Sequence, residues 1–317
     1  MRLNYLFIFA LAAMMISCAS TGKKDDPMAL PDFDAKWNFD DPAATQKVFM
    51  EILEGVSFED HPEYHLELRT QIARTLGLQQ KYEAAHATLD VVEADLTPAF
   101  TTAQLRYLLE RGRVFNSSKQ PERSRSYFLE SWELGQKHGA DLYAVDAAHM
   151  LGIVDVPEAR LSWNEKAVEL AEKSPDPGAK TWSGSLYNNI GWTYHGQGEF
   201  EKAMAAFKKT YDWYAERNDE KYMGIAEWSI ARTHRSLGDL DEALKIQKKL
   251  AREMAVSGNE DGYVYEEIAE CLYAKGEIEK AKPLFLKAWE ILSQDIWLQQ
   301  NEEERLERLK ELGGVTP

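Results

Sequence analysis

One six-residue turn recurs three times between helix-like stretches: Gly198-Glu-Phe-Glu-Lys-Ala203, Gly238-Asp-Leu-Asp-Glu-Ala243 and Gly276-Glu-Ile-Glu-Lys-Ala281. A glycine closes a helix in the left-handed conformation. The acidic residue after it suits the N-terminus of the next helix. The terminal alanine lets two helices approach closely. A fixed turn returning about every 40 residues describes helical hairpins that can bury their apolar faces only against one another.

The residues around the turn extend the pattern. Tyr187, Ile190-Gly191 and Tyr194 precede the first copy, and Ala203 and Phe207 follow it. The same offsets return at Ile230-Ala231, His234 and Ala243, and at Ile268-Ala269, Leu272, Ala281 and Phe285. Upstream they hold at Gly112, Phe115, Ser124 and Phe128, and at Ile72-Ala73, Leu76, Ala85 and Leu89. On these residues the chain, over about 60 to 292, resembles the tetratricopeptide repeat family. The resemblance implies an all-α fold: a right-handed α-solenoid of about six helical hairpins with a C-terminal capping helix.

Spacing supplies the missing copy. The small residues Ala85, Ser124, Ala203, Ala243 and Ala281 are separated by steps of 39, 79, 40 and 38. The step of 79 is two periods, so a degenerate hairpin belongs at 140–153 and 158–173, joined by Asp155-Val156-Pro157, where proline can start the second helix. Residues 41–292 are therefore assigned to the array, with a leading helix from Pro42 to about Glu54. Residues 18–40, polar and without periodicity, read as a flexible tether. Residues 293–317 form the capping helix and tail, since a terminal repeat needs a polar outer face.

Residues 1–17 read as a signal peptide. Arg2 precedes an apolar run from Leu3 to Ile16, interrupted only by Asn4 and short for a membrane span. It ends Ser17-Cys18, which resembles the lipobox of bacterial lipoproteins. That resemblance implies cleavage before Cys18 and its acylation, palmitate included, which anchors the protein to a membrane of the cell envelope. Ala19 after the cysteine points to the outer membrane by the enterobacterial sorting rule. With Cys18 lipidated, Cys271 is the sole remaining thiol and reads as a small buried helix residue.

The search for chemistry returns no active site. The seven histidines form no H-E-x-x-H, no cysteine pair has zinc spacing, and phosphate loops, nucleophile elbows and kinase signatures are missing. Neither a metal, a cofactor nor a catalytic residue is nominated. The 37 Lys plus Arg against 53 Asp plus Glu give a formal charge of −16, which argues against affinity for nucleic acid or an anionic bilayer surface.

The first helix of each hairpin lines the inner face in this family. The residues implied to point there are Arg74, Arg113, Trp192, Arg232 and Glu270, with Thr70, Leu109, Asn188, Trp228 and Glu266 one turn earlier. Arg235 lies one turn further on. Arginine forks pair carboxylates, and tryptophans give anchoring apolar area. The expectation is a non-enzymatic scaffold whose groove binds a protein or peptide segment, acidic or carboxylate-bearing, through Arg74, Arg113, Asn188, Trp192, Trp228, Arg232 and Arg235. Two alternatives remain open. The arginines pair with Asp and Glu on neighbouring helices, or the protein is an enzyme or small-ligand receptor with a pocket near the degenerate repeat at 140–195.

Overall fold

The computed structural model describes residues 30–315, so the signal peptide, Cys18 and the tether up to 29 lie outside the described residues. After a single 3₁₀ turn at Asp34–Lys36, helices α1 (Pro42–Glu54), α2 (Pro62–Leu78), α3 (Tyr82–Asp95), α4 (Thr101–Ser117) and α5 (Pro121–His138) follow. Next come α6 (Asp141–Val154), α7 (Pro157–Lys173), the short α8 (Pro177–Lys180) and α9 (Ser183–Gly196). The remainder is α10 (Phe200–Ala215), α11 (Glu220–Ser236), α12 (Leu240–Ser257), α13 (Gly262–Ala274), α14 (Ile278–Leu292), α15 (Ile296–Asn301) and α16 (Glu303–Leu312). No strand occurs among the described residues. No helix there is long and apolar enough to cross a membrane.

The chain divides into two compact units, one ending at Leu186 and one beginning at Tyr187, within α9. In unit 1, consecutive hairpins α2/α3, α4/α5 and α6/α7 pack in series, and first helix α2 also contacts the next first helix, α4. Unit 2 repeats the arrangement with α11/α12 and α13/α14, and ends on α16 packed against α14.

The turn chemistry explains the hairpins. Gly198, Gly238 and Gly276 all have left-handed φ, between +78° and +82°. In each turn the following N–H reaches back to a carbonyl five residues earlier, as Glu199 N to Tyr194 O at 2.9 Å. This is the bonding pattern that closes a helix with a left-handed residue. Gln80 and Lys119 hold the same place in the two upstream hairpins, with φ of +60° and +63° and the same backward bonds, Lys81 N to Leu76 O and Gln120 N to Phe115 O. The recurring turn is thus a backbone conformation, and glycine is its easiest occupant. Of the acidic residues that follow, Asp239 accepts a hydrogen bond from Glu242 N, a helix cap. Glu199 and Glu277 make no side-chain cap and pair instead with Lys202 and Lys280.

The small residues do what their spacing implies. Ala85, Ser124, Ala203, Ala243 and Ala281 are all fully buried. Opposite the anchor glycines Gly112 and Gly191 lie the rings of Phe128 and Phe207, so close that a Cβ on either glycine would stand 2.5 Å from ring carbon. The degenerate hairpin forms as α6/α7 and keeps the geometry with other residues. Gly152 is the anchor, Asn164 takes the small position, and Val168 takes the aromatic one. A Cβ on Gly152 would meet the Asn164 amide at 2.7 Å. The larger Asn is housed because its partner has no side chain, and its Nδ2 donates to Arg160 O.

Both ends differ from the sequence reading. Residues 31–40, assigned to the tether, are packed onto α1, α2 and α4, with Phe33 buried in the core beside Phe49 and Leu66. The capping helix over 293–312 is two helices, α15 and α16, broken at Glu302 (φ −134°, ψ 38°). The break turns Leu298, Leu306 and Leu309 into the core of α13 and α14.

The turn yields a stability prediction. Gln80→Gly and Lys119→Gly should each raise stability by about 0.5–1 kcal/mol, because a side chain in the left-handed region is strained. Gly238→Ala should lower it by about 1 kcal/mol. Urea midpoints at constant slope measure this, and an unchanged Gln80→Gly midpoint would refute it.

Candidate interaction surface

In unit 1 the first-helix face carries Arg74 on α2 and Arg113 on α4. Arg74 Nη1 donates to Glu110 Oε1 at 3.2 Å, and Arg113 Nη1 donates to the same oxygen at 2.5 Å. Arg113 Nη2 also donates to Asp146 Oδ1 at 2.5 Å. Each arginine thus reaches a carboxylate on the first helix of the next hairpin, α2 to α4 and α4 to α6. Glu110 is almost wholly buried, at 2% exposure, so these pairs sit in a low-dielectric seam rather than in solvent.

Unit 2 uses the same device with another register. Arg235 Nε and Nη2 grip Glu267 on α13 at 2.7 and 2.9 Å, a bidentate pair. Arg232 Nε lies 3.1 Å from the same carboxylate. The inner-face acids Glu266 and Glu270 pair onward with Arg305 and Arg308 of α16. The open alternative concerning local pairing is therefore what the structure displays: all four predicted arginines hold intramolecular carboxylates. Sequence reading missed Glu110, Asp146 and Glu267 as their partners. The signal was available, since each acid lies 32 to 36 residues after an arginine it holds, close to one repeat.

The tryptophans are placed differently. Trp192 on α9 and Trp228 on α11 lie side by side, ring centroids 5.8 Å apart at 43°. Tyr263 of α13 continues the row, its ring centroid 6.3 Å from Trp228, and Trp228 Nε1 donates to Tyr263 O at 3.3 Å. All three are half-buried, so three successive first helices present one aromatic edge. Asn188 stands one turn before Trp192, half-buried, with no hydrogen bond to its Oδ1. Tyr263 was not foreseen, because it lies one turn before Glu266 at the start of its helix.

His195 underlies this row. Its ring lies 5.1 Å from Trp192 and its Nε2 is 3.0 Å from Ser236 Oγ. Burial, reinforced by the Arg232 and Arg235 charges, lowers its pKa from 6.5 to about 4. The Cys271 thiol behind the face is fully buried and pushed up to about 12, by burial first and then by Glu267, which leaves it unreactive.

In unit 1 an occupant already covers the corresponding face. Arg106 Nη1 donates to Asp34 Oδ1 at 3.1 Å, and Trp37 Nε1 donates to Gln71 Oε1 at 3.2 Å. The Arg74 guanidinium stands 5.6 Å from the Trp37 ring centroid and 5.3 Å from that of Phe39. Beside Asp34, Glu67 lies 3.0 Å from Arg106 Nε; burial outweighs that cation and pushes its carboxyl up to about 7.

Comparison with known proteins fits this geometry. Residues 184–216, one hairpin spanning α9 and α10, match the family described as Tetratricopeptide repeat. No curated protein matches the sequence. Among solved structures, the apo form of RapI aligns at 12% identity with TM-score 0.66, over 87% of this chain and 77% of that one. NprR in complex with its cognate peptide NprX aligns at 15% identity and TM-score 0.55, over 91% and 84%. A signal-transduction ATPase with a tetratricopeptide repeat sensor from Pyrococcus horikoshii aligns at 14% and 0.61 over 84% of this chain, which spans only 41% of that protein. The described chain has the tetratricopeptide-repeat fold.

Acid should weaken unit 2 through His195. A base whose folded pKa is depressed takes its proton first in the unfolded state, so stability held above pH 6.5 is lost as pH falls toward 4. At pH 5 the loss from this group is about 1–2 kcal/mol. His195→Phe should therefore lose less stability than wild type between pH 7 and 5, by urea titration. Parallel pH profiles would contradict the assignment.

Proposed function

We propose that the protein is an envelope-anchored interaction scaffold. A lipid on Cys18 holds it at the membrane, by the lipobox resemblance and the Ala19 rule the outer one, and the first-helix face of unit 2 binds an extended segment of a partner protein. The observation that carries the reading is the half-buried aromatic row Trp192, Trp228 and Tyr263. Aromatic residues on a rigid helical face are the usual anchors of protein interfaces. The peptide-bound NprR shares the fold, which supports a segment as the ligand.

The engaged arginines alter the expected chemistry of that ligand. Arg232 and Arg235 already share Glu267, so an acidic side chain on the partner competes with a carboxylate that is in place. Affinity then comes mainly from apolar area laid on the tryptophans, and acidic groups on the partner contribute by exchange at the rim. The partner is a protein segment with exposed aromatic or aliphatic residues and some acid, and no chemistry is performed on it.

Two measurements test the proposal. Affinity capture from membranes with wild type should retain a partner that Trp192→Ala/Trp228→Ala loses, the pair costing tenfold or more in affinity. Arg232→Ala should cost less. Identical captured proteins for wild type and the tryptophan variant would remove the groove reading. Separately, mass spectrometry of the mature N-terminus should find an acylated Cys18, and Cys18→Ser should leave the membrane fraction. An unmodified Cys18 would remove the anchor.

A further inference from the structure

Residues 31–40 have the form of a bound peptide. Apart from the 3₁₀ turn they carry no regular secondary structure, and they are held through both side chains and backbone, Asn38 N and O bonding Thr45 Oγ1 of α1. Tyr64 Oη donates to Pro31 O at 2.6 Å. The Phe33 ring sits edge-on to Tyr64, 5.2 Å between centroids, with the Arg106 guanidinium over it at 5.2 Å. Asp34 takes the Arg106 fork, and Trp37 bonds Gln71 and packs edge-on to Phe49 at 5.2 Å. Phe39 stacks on Trp37 at 4.5 Å under Arg74.

Besides Thr45 and Phe49 of α1, the residues that hold this segment are side chains of the first helices α2 and α4, the face on which a partner is expected. They read a pattern rather than a shape. An aromatic residue enters the core, an acid follows at once, tryptophan comes three residues later, and a third aromatic two beyond that.

We propose that this face of unit 1 is a second peptide-binding site, occupied in cis by residues 31–40, and that it accepts in trans an extended segment of another protein bearing the pattern Phe-Asp-x-x-Trp-x-Phe. The site goes beyond the scaffold reading, which concerns unit 2, and does not rest on it. Linkage sets the competition. A segment joined directly to α1 is present at an effective concentration of order millimolar or more. A free peptide of micromolar affinity is then outcompeted by about a thousandfold unless the strap is loosened.

The test uses the full chain and a fluorescent synthetic peptide of residues 30–41. The Phe33→Ala/Trp37→Ala protein, which removes two of the strap's anchors, should bind the peptide at micromolar concentration. Wild type should bind it at least 100-fold more weakly. Adding Arg106→Ala to the loosened protein, or using a peptide with Asp34→Ala, should cost at least tenfold. Asp34→Ala in the protein alone loosens the strap while keeping Phe33 in the core, and should raise peptide binding in the same direction should the double variant fail to fold. A folded, loosened protein that ignores the peptide up to 100-fold above micromolar would overturn the proposal. Equal binding to wild type and loosened protein would overturn it too, since the site would not then be the strapped one. Either failure leaves the capture result with Trp192 and Trp228 untouched.

Discussion

The fold depends on one close contact repeated along the chain: an anchor with little or no side chain on the first helix, faced by the second helix of the same hairpin. Gly112 under Phe128 and Gly191 under Phe207 are the tightest examples, with no room for a methyl group. Close packing of this kind fixes the angle between two helices and therefore the surface each hairpin offers its neighbour. A single hairpin has nothing to cover that surface, so stability is built from neighbouring interfaces. The left-handed turn serves the same end by reversing the chain in the fewest residues.

The ion pairs add register to that packing. Arg113 joins Glu110 on its own helix to Asp146 on the next, and Arg235 joins α11 to Glu267 on α13. Buried pairs of this kind contribute little net stability against apolar residues of equal size, because desolvation offsets attraction. Removing one partner is costly all the same, and a mismatched neighbour would bury a lone charge. In a chain of charge −16 this also explains where the arginines go. Arg74, Arg113, Arg232 and Arg235 are consumed between successive first helices, where each neutralises an acid that would otherwise repel its neighbours.

The hairpins were legible because their signals are local and periodic: a glycine, a small residue five later and an aromatic four beyond. Even α6/α7, whose residues depart from the pattern, could be placed from the doubled step, since Gly152 and Asn164 preserve distance while changing chemistry. The roles of Arg74, Arg113, Arg232 and Arg235 were not legible as a choice between partners and local pairs. Deciding it needed the acids on the following repeat, which no single-helix pattern brings together. The strap escaped for the opposite reason. Phe33, Trp37 and Phe39 stand in a polar, aperiodic stretch, and only the core they enter tells them from a tether. The break at Glu302 was equally hidden, because a polar run gives no sign of which leucines turn inward.

Taken together, these contacts separate what holds the repeats in line from what they offer to others. The inner-face arginines Arg74, Arg113, Arg232 and Arg235 are paired internally, so they can steer and align a ligand but have little unspent attraction to give. Aromatic area is what differs. In unit 1 the chain's own Phe33 and Trp37 supply it, and Arg106 and Gln71 supply the polar contacts that orient them. In unit 2, Trp192, Trp228 and Tyr263 supply it from the helices themselves and keep part of it exposed. The same architecture thus has one face covered by an aromatic-acidic segment of its own chain, and another that carries a half-buried aromatic row. The chemistry of the filled face is the best guide to what an extended segment must carry to be held by helices of this kind.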